Sequence, residues 1–288
     1  MRARPQSRGL ISILVAVLIW ATIPFVIDAA LASLSPSAVV SARMLLAGAV
    51  MTVVVGPRRL GRAIRHNLRF FLILSLFGFA LPSLMYATAL QTVPIPVLTF
   101  VANSYPALAI GLAAIFLHER PTRLQLLGMC SALVGLFLMS GIGPGQSLTP
   151  GIVLVLLTSV GWASAGVVSK KLTAQVDATT IVAGRHLLSG LFILPLLLVQ
   201  GLPVGAAGPT TWLILAVLVA MSLLSFEFYV LGLARTSVTT ASLLEALTPV
   251  ITLLISVVFF GQGLTGVQTA AAGLVLLGTV LASLEAKK

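Results

Sequence analysis

Two glutamates and two arginines lie inside long apolar stretches of the sequence, where charged side chains are rare. The carboxylates are Glu227 and Glu245, and the guanidinium groups are Arg43 and Arg185. A charge at the centre of a membrane-spanning helix costs about 2.5–3.5 kcal/mol on insertion-derived scales, so its presence suggests a function. A buried carboxylate can bind an ammonium group or carry a proton, and a buried guanidinium can bind a carboxylate. These residue types predict a site for a charged or zwitterionic molecule.

Glu245 belongs to the stretch TTASLLEALTPVITLLISVVFF, residues 239–260. Ser242, Glu245, Pro249 and Thr252 follow one another at i, i+3, i+7 and i+10, which would place them on one face of a continuous helix. A polar face on an apolar helix is expected to line a bundle interior or a water-filled cavity. Glu245 and Ser242 are therefore cavity candidates, with a structural pairing of Glu245 to an arginine as the alternative. For Glu227 a cavity role and a structural role are both open.

Arg43 and Arg185 occupy matching places near the starts of two apolar stretches. They are candidate contacts for an anion, or candidate gate residues. Alternatively, their long side chains reach toward the interface or bond the carbonyl groups of neighbouring helices.

Aromatic and polar side chains add further candidates for the walls of a cavity, with ordinary packing as the alternative. They are Trp20, Trp162, Tyr86, Tyr229, Asn103 and Tyr105. Three prolines inside apolar stretches each leave the carbonyl four residues earlier without its helical partner. Pro24, Pro106 and Pro249, together with Gly166, are candidates for kinks that gate a cavity, although a kink that only serves packing is the alternative.

The composition is that of an integral membrane protein. Hydrophobic residues make up 59% of the 288 residues and charged residues only 8%, against roughly 25% charged residues in soluble domains. The net charge of +11 is spread over short clusters, so no nucleic-acid partner is expected. Cys130, the single cysteine, lies in LLGMCSALVGL and is expected to be a small core residue. No metal, cofactor or catalytic motif is expected, and the chain is not predicted to be an enzyme.

Ten apolar runs of about 20 residues alternate with short connectors, and each is long enough to cross a hydrocarbon layer roughly 30 Å thick. The first run is longer than the roughly 7–15 apolar residues of a signal peptide, so we expect it to be a retained span. The fold class is therefore all-α, with ten transmembrane helices. The predicted spans are approximately 10–30, 37–55, 70–90, 94–116, 124–141, 151–169, 179–199, 211–233, 238–260 and 266–284.

Basic residues fall on one side of these spans. With the N-terminus inside, 15 of the 17 Lys and Arg residues lie in inside segments and none in outside loops. This bias predicts cytoplasmic termini and contact of the basic loops with anionic headgroups. The inside residues are Arg2, Arg4, Arg8, Arg58, Arg59, Arg62, Arg65, Arg69, Arg120, Arg123, Lys170, Lys171, Arg235, Lys287 and Lys288.

The second half of the chain repeats the first. A shift of 142 residues aligns Trp20 with Trp162, Arg43 with Arg185 and Gly48 with Gly190, and a shift of 143 aligns Tyr86 with Tyr229 and Pro106 with Pro249. Each half holds five predicted spans, so the halves would enter the membrane from opposite sides. Inverted repeats around a central cavity are typical of secondary transporters. We predict one repeat over residues 1–145 and a second over 146–288. The acids break the symmetry, since Glu245 aligns with Ala102 and Glu227 with Leu84.

These motifs resemble a known family. VVSARMLLAG and IVAGRHLLSG are similar to the second helix of EamA-type repeats, and ANSYPALAIGLAAIFLHERPTRLQLLG and LEALTPVITLLISVVFFGQGLTGVQTAAAG resemble their fourth and fifth helices. The chain therefore resembles an EamA-type member of the drug/metabolite transporter superfamily over its whole length. The resemblance implies a cavity formed by helices 1–4 and 6–9, and substrates that are small metabolites such as exported amino acids. One departure is that the acid after the fourth helix, Glu119, is Gln262 in the second half.

The sequence predicts a secondary transporter of the inner membrane that exports or exchanges a small polar metabolite, with an amino acid or similar zwitterion as the best fit. Glu245 would meet the ammonium group and an arginine the carboxylate, with protons as a candidate coupling ion. The alternative is a proton-coupled multidrug exporter of lipophilic cations. A membrane-embedded enzyme or lipid-binding scaffold fits poorly, because the loops are short. The expected partners are the lipid bilayer and a small substrate, with no obligate protein partner.

Overall fold

The computed structural model describes residues 5–140, 149–200, 208–261, 263 and 265–285, and within these ranges the chain is helical with no β-strand. Several features singled out in the sequence lie outside the described residues. They are the terminal basic residues Arg2, Arg4, Lys287 and Lys288, the glutamine Gln262, and the predicted repeat boundary at residues 145 and 146.

Among the described residues, the first half contains nine α-helices and one π-helix. The helices are α1 (Pro5–Trp20), α2 (Ile23–Leu31), α3 (Pro36–Val55), α4 (Pro57–His66), α5 (Leu68–Leu72), a π-helix (Ile73–Ala80), α6 (Leu81–Ala89), α7 (Ile95–Ala102), α8 (Tyr105–Phe116) and α9 (Arg123–Ser140). The π-helix joins α5 to α6 directly, so these three segments form one continuous rod.

The part of the second half that the structure describes contains six helices and is more regular. They are α10 (Pro150–Leu172), α11 (Ala178–Gln200), α12 (Pro209–Leu233), α13 (Val238–Glu245), α14 (Thr248–Phe260) and α15 (Gly266–Glu285). Its helix α12 is α-helical throughout, whereas the corresponding segment of the first half, from α5 to α6, contains the π-helix.

Eight of the ten predicted spans coincide with helical stretches that are long and apolar enough to cross a membrane. Many large apolar side chains on these stretches are exposed, such as Val53, Phe77 and Val258, as expected of surfaces that face lipid rather than water. The chain is therefore a multi-pass membrane protein. The other two predicted spans coincide with α9 and α15, whose described apolar parts, Arg123–Leu138 and Gly266–Gly278, are shorter.

Prolines divide three of the spans into half-helices. Pro24 follows the break between α1 and α2, Pro106 follows the break between α7 and α8, and Pro249 follows the break between α13 and α14. A proline lacks the N–H that would continue the helical hydrogen bonds, which explains why the helix is interrupted just before each one. The carbonyl of Ala102, freed in this way by Pro106, accepts a hydrogen bond of 3.1 Å from the Ser159 hydroxyl.

Glycines allow two pairs of helices to pack backbone against backbone. A Cβ added at Gly48 of α3 would lie 2.6 Å from the backbone of Leu187 in α11, and one added at Gly190 of α11 would lie 2.9 Å from the backbone of Leu45 in α3. Real Cβ atoms do not approach so closely, so these positions require glycine.

Helices α9 and α15 also contact each other through a pair of glycines, one on each helix. A Cβ at Gly135 would lie 2.6 Å from the carbonyl oxygen of Ala271, and one at Gly278 would collide with the carbonyl oxygen of Gly128. Small residues at such crossings let helices approach closely in lipid, where no hydrophobic effect drives them together.

Four short segments between the long helices are linked in two pairs at one end of the bundle, which we call the basic end. It comprises residues 56–67, 117–122, 173–177 and 234–237. Arg59 and Asp177 form a 2.7 Å ion pair between the first and third connectors. The carboxylate of Glu119 accepts hydrogen bonds from the start of α13, which links the second connector to the fourth.

The expectation for Cys130 is wrong. Its side chain is exposed rather than part of the core. It lies on α9, whose buried residues Met129, Ala132 and Leu136 lie on the opposite side of the helix. An apolar run alone does not reveal which side of a helix faces lipid, because both sides are apolar.

Candidate functional site

A cavity of about 130 Å³ lies between the two halves of the chain. A single water needs about 10–15 Å³, so the cavity has room for a small molecule. Both halves contribute to its walls. Eleven of the residues predicted from the sequence line it: Trp20, Pro24, Arg43, Tyr86, Asn103, Tyr105, Trp162, Gly166, Arg185, Tyr229 and Glu245.

Glu245 ends the half-helix α13 and is only 1% exposed. The hydroxyl of Tyr105 donates a hydrogen bond to its Oε2 atom, and the phenol of Tyr229 lies against the same carboxyl group. Its Oε1 atom is buried and has no hydrogen-bond partner among the described residues. The break before Pro249 lets this carboxyl group end a half-helix instead of lying within a continuous one. One carboxyl oxygen therefore has a tyrosine hydroxyl as donor, and the other is buried beside the Tyr229 phenol.

Arg185 is held between two aromatic rings. Its guanidinium carbon lies 3.5 Å from the ring centroid of Phe226 and 4.3 Å from that of Phe79. Arg43 approaches Phe79 from farther away, at 5.8 Å. Within the described ranges the only ion pair is that of Arg59 with Asp177, so neither cavity arginine is neutralised by a carboxylate. The alternative in which Glu245 pairs with an arginine is not what the structure contains.

Seven aromatic rings surround the cavity: Trp20, Phe79, Tyr86, Tyr105, Trp162, Phe226 and Tyr229. They pack in two groups. Trp20 contacts Phe226 and Tyr229 at 5.3 and 5.0 Å between centroids, and Trp162 contacts Tyr86 and Tyr105 at 5.2 and 5.9 Å. These tilted and edge-on contacts are those that aromatic pairs favour. The repeat mates Trp20 and Trp162 thus each support one of the two aromatic groups.

Unpaired polar atoms concentrate at this cavity. Of twelve buried side-chain nitrogen and oxygen atoms without a hydrogen-bond partner among the described residues, seven belong to residues that line it. Buried polar groups in native proteins are normally bonded, so unpaired ones mark a place where water or a ligand completes the structure. The seven are Trp20 Nε1, Arg43 Nε, Asn103 Oδ1, Arg185 Nε, Arg185 Nη2, Glu245 Oε1 and Thr248 Oγ1.

Four predicted residues lie away from the cavity lining. Glu227 accepts a 2.7 Å hydrogen bond from the hydroxyl of Thr179, which favours its structural interpretation. Ser242 is buried within α13. Pro106 and Pro249 are the second residues of the half-helices α8 and α14, so any effect they have on the cavity acts through the breaks they cause.

The polar face predicted for the ninth span does not persist through the helix break. Glu245 lines the cavity together with Thr248, whereas Ser242, Pro249 and Thr252 do not. The hydroxyl of Thr252 bonds the carbonyl of Ala21 at 3.0 Å. For Pro249 and Thr252 the spacing argument fails because it assumes an unbroken rotation of about 100° per residue across residues 246 and 247. Ser242 precedes the break, and its side chain is buried without lining the cavity.

Gly166 lines the cavity, but α10 is continuous through it. A Cβ at this position would lie 3.3 Å from the hydroxyl oxygen of Tyr229. The structure therefore gives Gly166 the role of making room for Tyr229, not that of a kink.

Phe79 and Phe226 are the main lining residues that the sequence prediction omitted. Phe79 lies in the π-helix, whose eight residues precede Pro82. π-helical turns widen a helix locally and recur at functional sites. The motif FGFALP, with a glycine and a proline flanking Phe79, was the available signal.

His186 is fully buried, as expected of a packed histidine. Its Nδ1 atom bonds the carbonyl oxygen of Val182 at 2.8 Å, and its ring lies edge-on to Phe79 and Phe226. Among the described residues there is no cluster of His, Cys, Asp or Glu able to hold a metal ion.

A model of the EamA-like transporter family matches residues 7–141 and again residues 149–284. The chain belongs to this family, which confirms the resemblance found in its sequence. It is a membrane transporter and not an enzyme. A solved crystal structure that covers 98% of both chains, with a TM-score of 0.77 and 22% identity, has the same fold.

Three relatives illustrate the range of the family. An uncharacterized transporter of Archaeoglobus fulgidus is 27% identical over 85% of this chain and 87% of its own length. Protein PecM of Dickeya dadantii is 30% identical over 62% of both chains. A probable amino-acid metabolite efflux pump of Salmonella typhimurium is 29% identical, also over 62% of both chains.

Proposed function

We propose that the chain is a secondary transporter of the inner membrane that exports or exchanges an amino acid or a related zwitterion by alternating access. Glu245 binds the ammonium group of the substrate through its free Oε1 atom. Arg185, with Arg43 beside it, binds the carboxylate. Protons are the proposed coupling ion, carried by Glu245 when the substrate leaves.

One observation carries this proposal: opposite charges line one cavity without neutralising each other. Glu245 is bonded by a tyrosine and not by an arginine, and Arg185 is held by aromatic rings. Leaving a buried charge without a counter-ion is expensive, so a ligand that supplies both charges gains from both. A zwitterion supplies them. The name of the Salmonella relative, a probable amino-acid metabolite efflux pump, agrees with this substrate class.

The alternative is a proton-coupled exporter of lipophilic cations. The seven aromatic rings around the cavity favour it, because aromatic faces attract cations and apolar groups. Two buried arginines in the same cavity oppose it, because they repel a cation.

We further propose that the two halves, residues 1–145 and 146–288, are inverted repeats of five membrane-spanning helices each, so that α9 and α15 are the fifth and tenth spans. The reciprocal glycine contacts support this arrangement. Gly48 meets Leu187 while Gly190 meets Leu45, and Gly135 meets Ala271 while Gly278 meets Gly128. A shift of 142 residues converts the contact of Gly190 with Leu45 into that of Gly48 with Leu187, and a shift of 143 converts the contact of Gly278 with Gly128 into that of Gly135 with Ala271. The two contacts of each pair are therefore equivalent under the repeat. Reciprocal pairs of this kind are the signature of a two-fold axis.

The proposed orientation places both termini in the cytoplasm. The basic end supports it, because connectors that the charge distribution assigns to the inside contact one another there through Arg59–Asp177 and Glu119–Val238. Labelling of single engineered cysteines in residues 173–177 and 234–237 from each side of the membrane would test this orientation.

Counterflow in liposomes tests the transport proposal. Purified protein is reconstituted with a panel of unlabelled amino acids inside, and the uptake of labelled amino acids is followed. We expect uptake of at least one amino acid, and a loss of about tenfold or more in Glu245→Gln, since a charge-assisted bond is worth about 1.5–3 kcal/mol. A pH gradient imposed across the membrane should drive uptake in wild type and not in this variant.

The matched control is Glu227→Gln, which makes the same chemical change at a glutamate outside the cavity and should retain uptake. Undiminished amino-acid counterflow in Glu245→Gln would remove Glu245 from the mechanism. Uptake of a lipophilic cationic dye without uptake of any amino acid would favour the multidrug alternative.

A further inference from the structure

Glu119 holds the start of the half-helix that carries Glu245. Its Oε1 atom accepts the N–H of Val238 at 2.9 Å, and its Oε2 atom accepts the N–H and the hydroxyl of Thr239 at 3.0 and 2.8 Å. A carboxylate at a helix N-terminus satisfies free N–H groups and interacts favourably with the helix dipole. The link spans 119 residues of sequence, so it ties the end of α8 to the start of α13.

Lys170 holds the end of the preceding helix in a complementary way. Its ammonium group donates to the carbonyl oxygens of Leu233 and Thr236 at 2.7 and 2.6 Å. A cation at a helix C-terminus satisfies free carbonyl groups. Glu119 and Lys170 therefore hold the two sides of the turn between α12 and α13, at the basic end.

The backbone before Glu119 is strained. His118 adopts a φ of +55°, and it is the only residue other than glycine in the described ranges with a positive φ. Its repeat mate is Gly261, which adopts a φ of +65°. A left-handed conformation costs a residue with a side chain roughly 1–2 kcal/mol. Such strain persists where the surrounding contacts impose it, and the three hydrogen bonds of Glu119 supply these contacts.

The sequence does not provide the opposite end with the same set of donors and acceptors. The repeat mates of Glu119, Thr239 and Lys170 are Gln262, Pro96 and Asp28. Proline has no N–H to donate, and a carboxylate cannot donate to a helix carbonyl as an ammonium group does. At the start of α7, the described residues provide no side-chain cap.

We propose that Glu119 and Lys170 form a latch that positions the half-helix bearing Glu245 and that makes closure of the basic end more stable than closure of the opposite end. They are positioning residues, since neither lines the cavity. This inference rests on the proposed alternating-access transport. It adds that the two gates are unequal, and that the transporter without substrate is biased toward the conformation closed at the basic end.

The test measures from which side the cavity can be reached. A cysteine replaces the cavity residue Ser83 in a Cys130→Ser background, and a membrane-impermeant maleimide is added either to inside-out vesicles or to spheroplasts, without substrate. We expect faster labelling from the side opposite the basic end. Glu119→Gln and Lys170→Met should raise the labelling rate from the basic end about tenfold, on the scale of one lost charge-assisted hydrogen bond.

Two further variants separate positioning from general stability. Thr239→Val removes one of the three bonds to Glu119 and should produce a smaller shift in the same direction. His118→Gly relieves the strain but keeps Glu119, so the sidedness should be unchanged. A monodisperse Glu119→Gln protein that melts at a lower temperature but is labelled with wild-type sidedness would show a purely structural role and overturn the proposal. Because no substrate is present, this outcome is independent of whether amino acids are transported.

Discussion

Tyr105 and Glu245 stand 140 residues apart in the sequence, and in the fold the hydroxyl of Tyr105 donates a hydrogen bond to the Glu245 carboxylate. Each residue lies beside a proline-induced helix break: Tyr105 begins α8 and Glu245 ends α13. The two breaks meet at one side of the cavity. The carboxylate is thus fixed by a residue from the other half of the chain, at the place where both halves contribute half-helix ends.

The first prediction concerns this hydrogen bond. Tyr105→Phe removes the hydroxyl that holds Oε2 and leaves Tyr229 as the remaining tyrosine beside the carboxylate, so we expect the KM for counterflow to rise about tenfold while the fold is retained. Tyr86→Phe makes the same change at a cavity tyrosine that packs on the same ring of Trp162 but is not bonded to Glu245, and should raise the KM less. Equal effects of the two substitutions would show that the bond to Glu245 has no special role.

The second prediction concerns the shape of the cation at position 185. Lysine keeps the charge of Arg185 but loses the planar group that lies between Phe226 and Phe79. A desolvated contact of a cation with an aromatic ring is worth about 2 kcal/mol. Arg185→Lys should therefore weaken stabilisation by a transported amino acid in a thermal-shift assay. Arg43→Lys, whose guanidinium is farther from Phe79, should weaken it less, and the opposite order would contradict this assignment.

The third prediction concerns the crossing of α3 and α11. Gly48→Ala places a methyl group against the Leu187 backbone, and overpacking of this kind costs about 1–3 kcal/mol. Gly111→Ala is the control, because nothing lies within 4 Å of a Cβ there. We expect less of the Gly48→Ala protein to stay monodisperse after heating in detergent, and no loss for Gly111→Ala. Equal heat stability of both variants would show that the crossing can relax at no cost.

The fourth prediction concerns pH and Asp177, which lies in a connector at the basic end. Partial burial alone would raise the pKa of its carboxyl group, but hydrogen bonds from Thr180 and the charge of Arg59 hold this pKa below its ordinary value. The charged form is thus favoured by folding. The resulting stability is fully present above the ordinary pKa of about 3.9 and is lost as the pH falls through the lowered value.

Asp177→Asn should reduce this acid sensitivity. Asparagine still accepts the N–H of Thr180, which Asp177 Oδ1 accepts at 3.0 Å, and it caps helices about as well as aspartate. The ion pair with Arg59 is largely exposed and contributes at most about 1 kcal/mol. The melting temperature of the variant should be close to that of wild type at pH 7. Between pH 5 and pH 3 it should fall by less than the melting temperature of wild type. An unchanged acid profile would exclude Asp177 as a source of the pH dependence.

Local pattern predicted much of this protein correctly. Apolar runs and the distribution of charge indicated ten spans, eight of which match helices long enough to cross a membrane, and the prolines indicated where three helices break. These properties depend on hydrophobicity over a window of residues, or on a missing N–H, so neighbours in sequence are sufficient to determine them. The internal repeat aligned Trp20 with Trp162, and each of these rings packs against other aromatic residues of the cavity wall.

The sequence by itself determined that the chain crosses the membrane many times and carries buried charges. Only the tertiary structure decided which charges share a cavity and what each one contacts. It brings Glu245 to Tyr105, leaves Glu227 with Thr179, and adds Phe79 through a π-helix. The reason is geometric: each residue rotates a helix by about 100°, and a break or a wider turn resets that rotation. On helices that are apolar all round, no polar face indicates the orientation beforehand, so contacts between distant segments decide it.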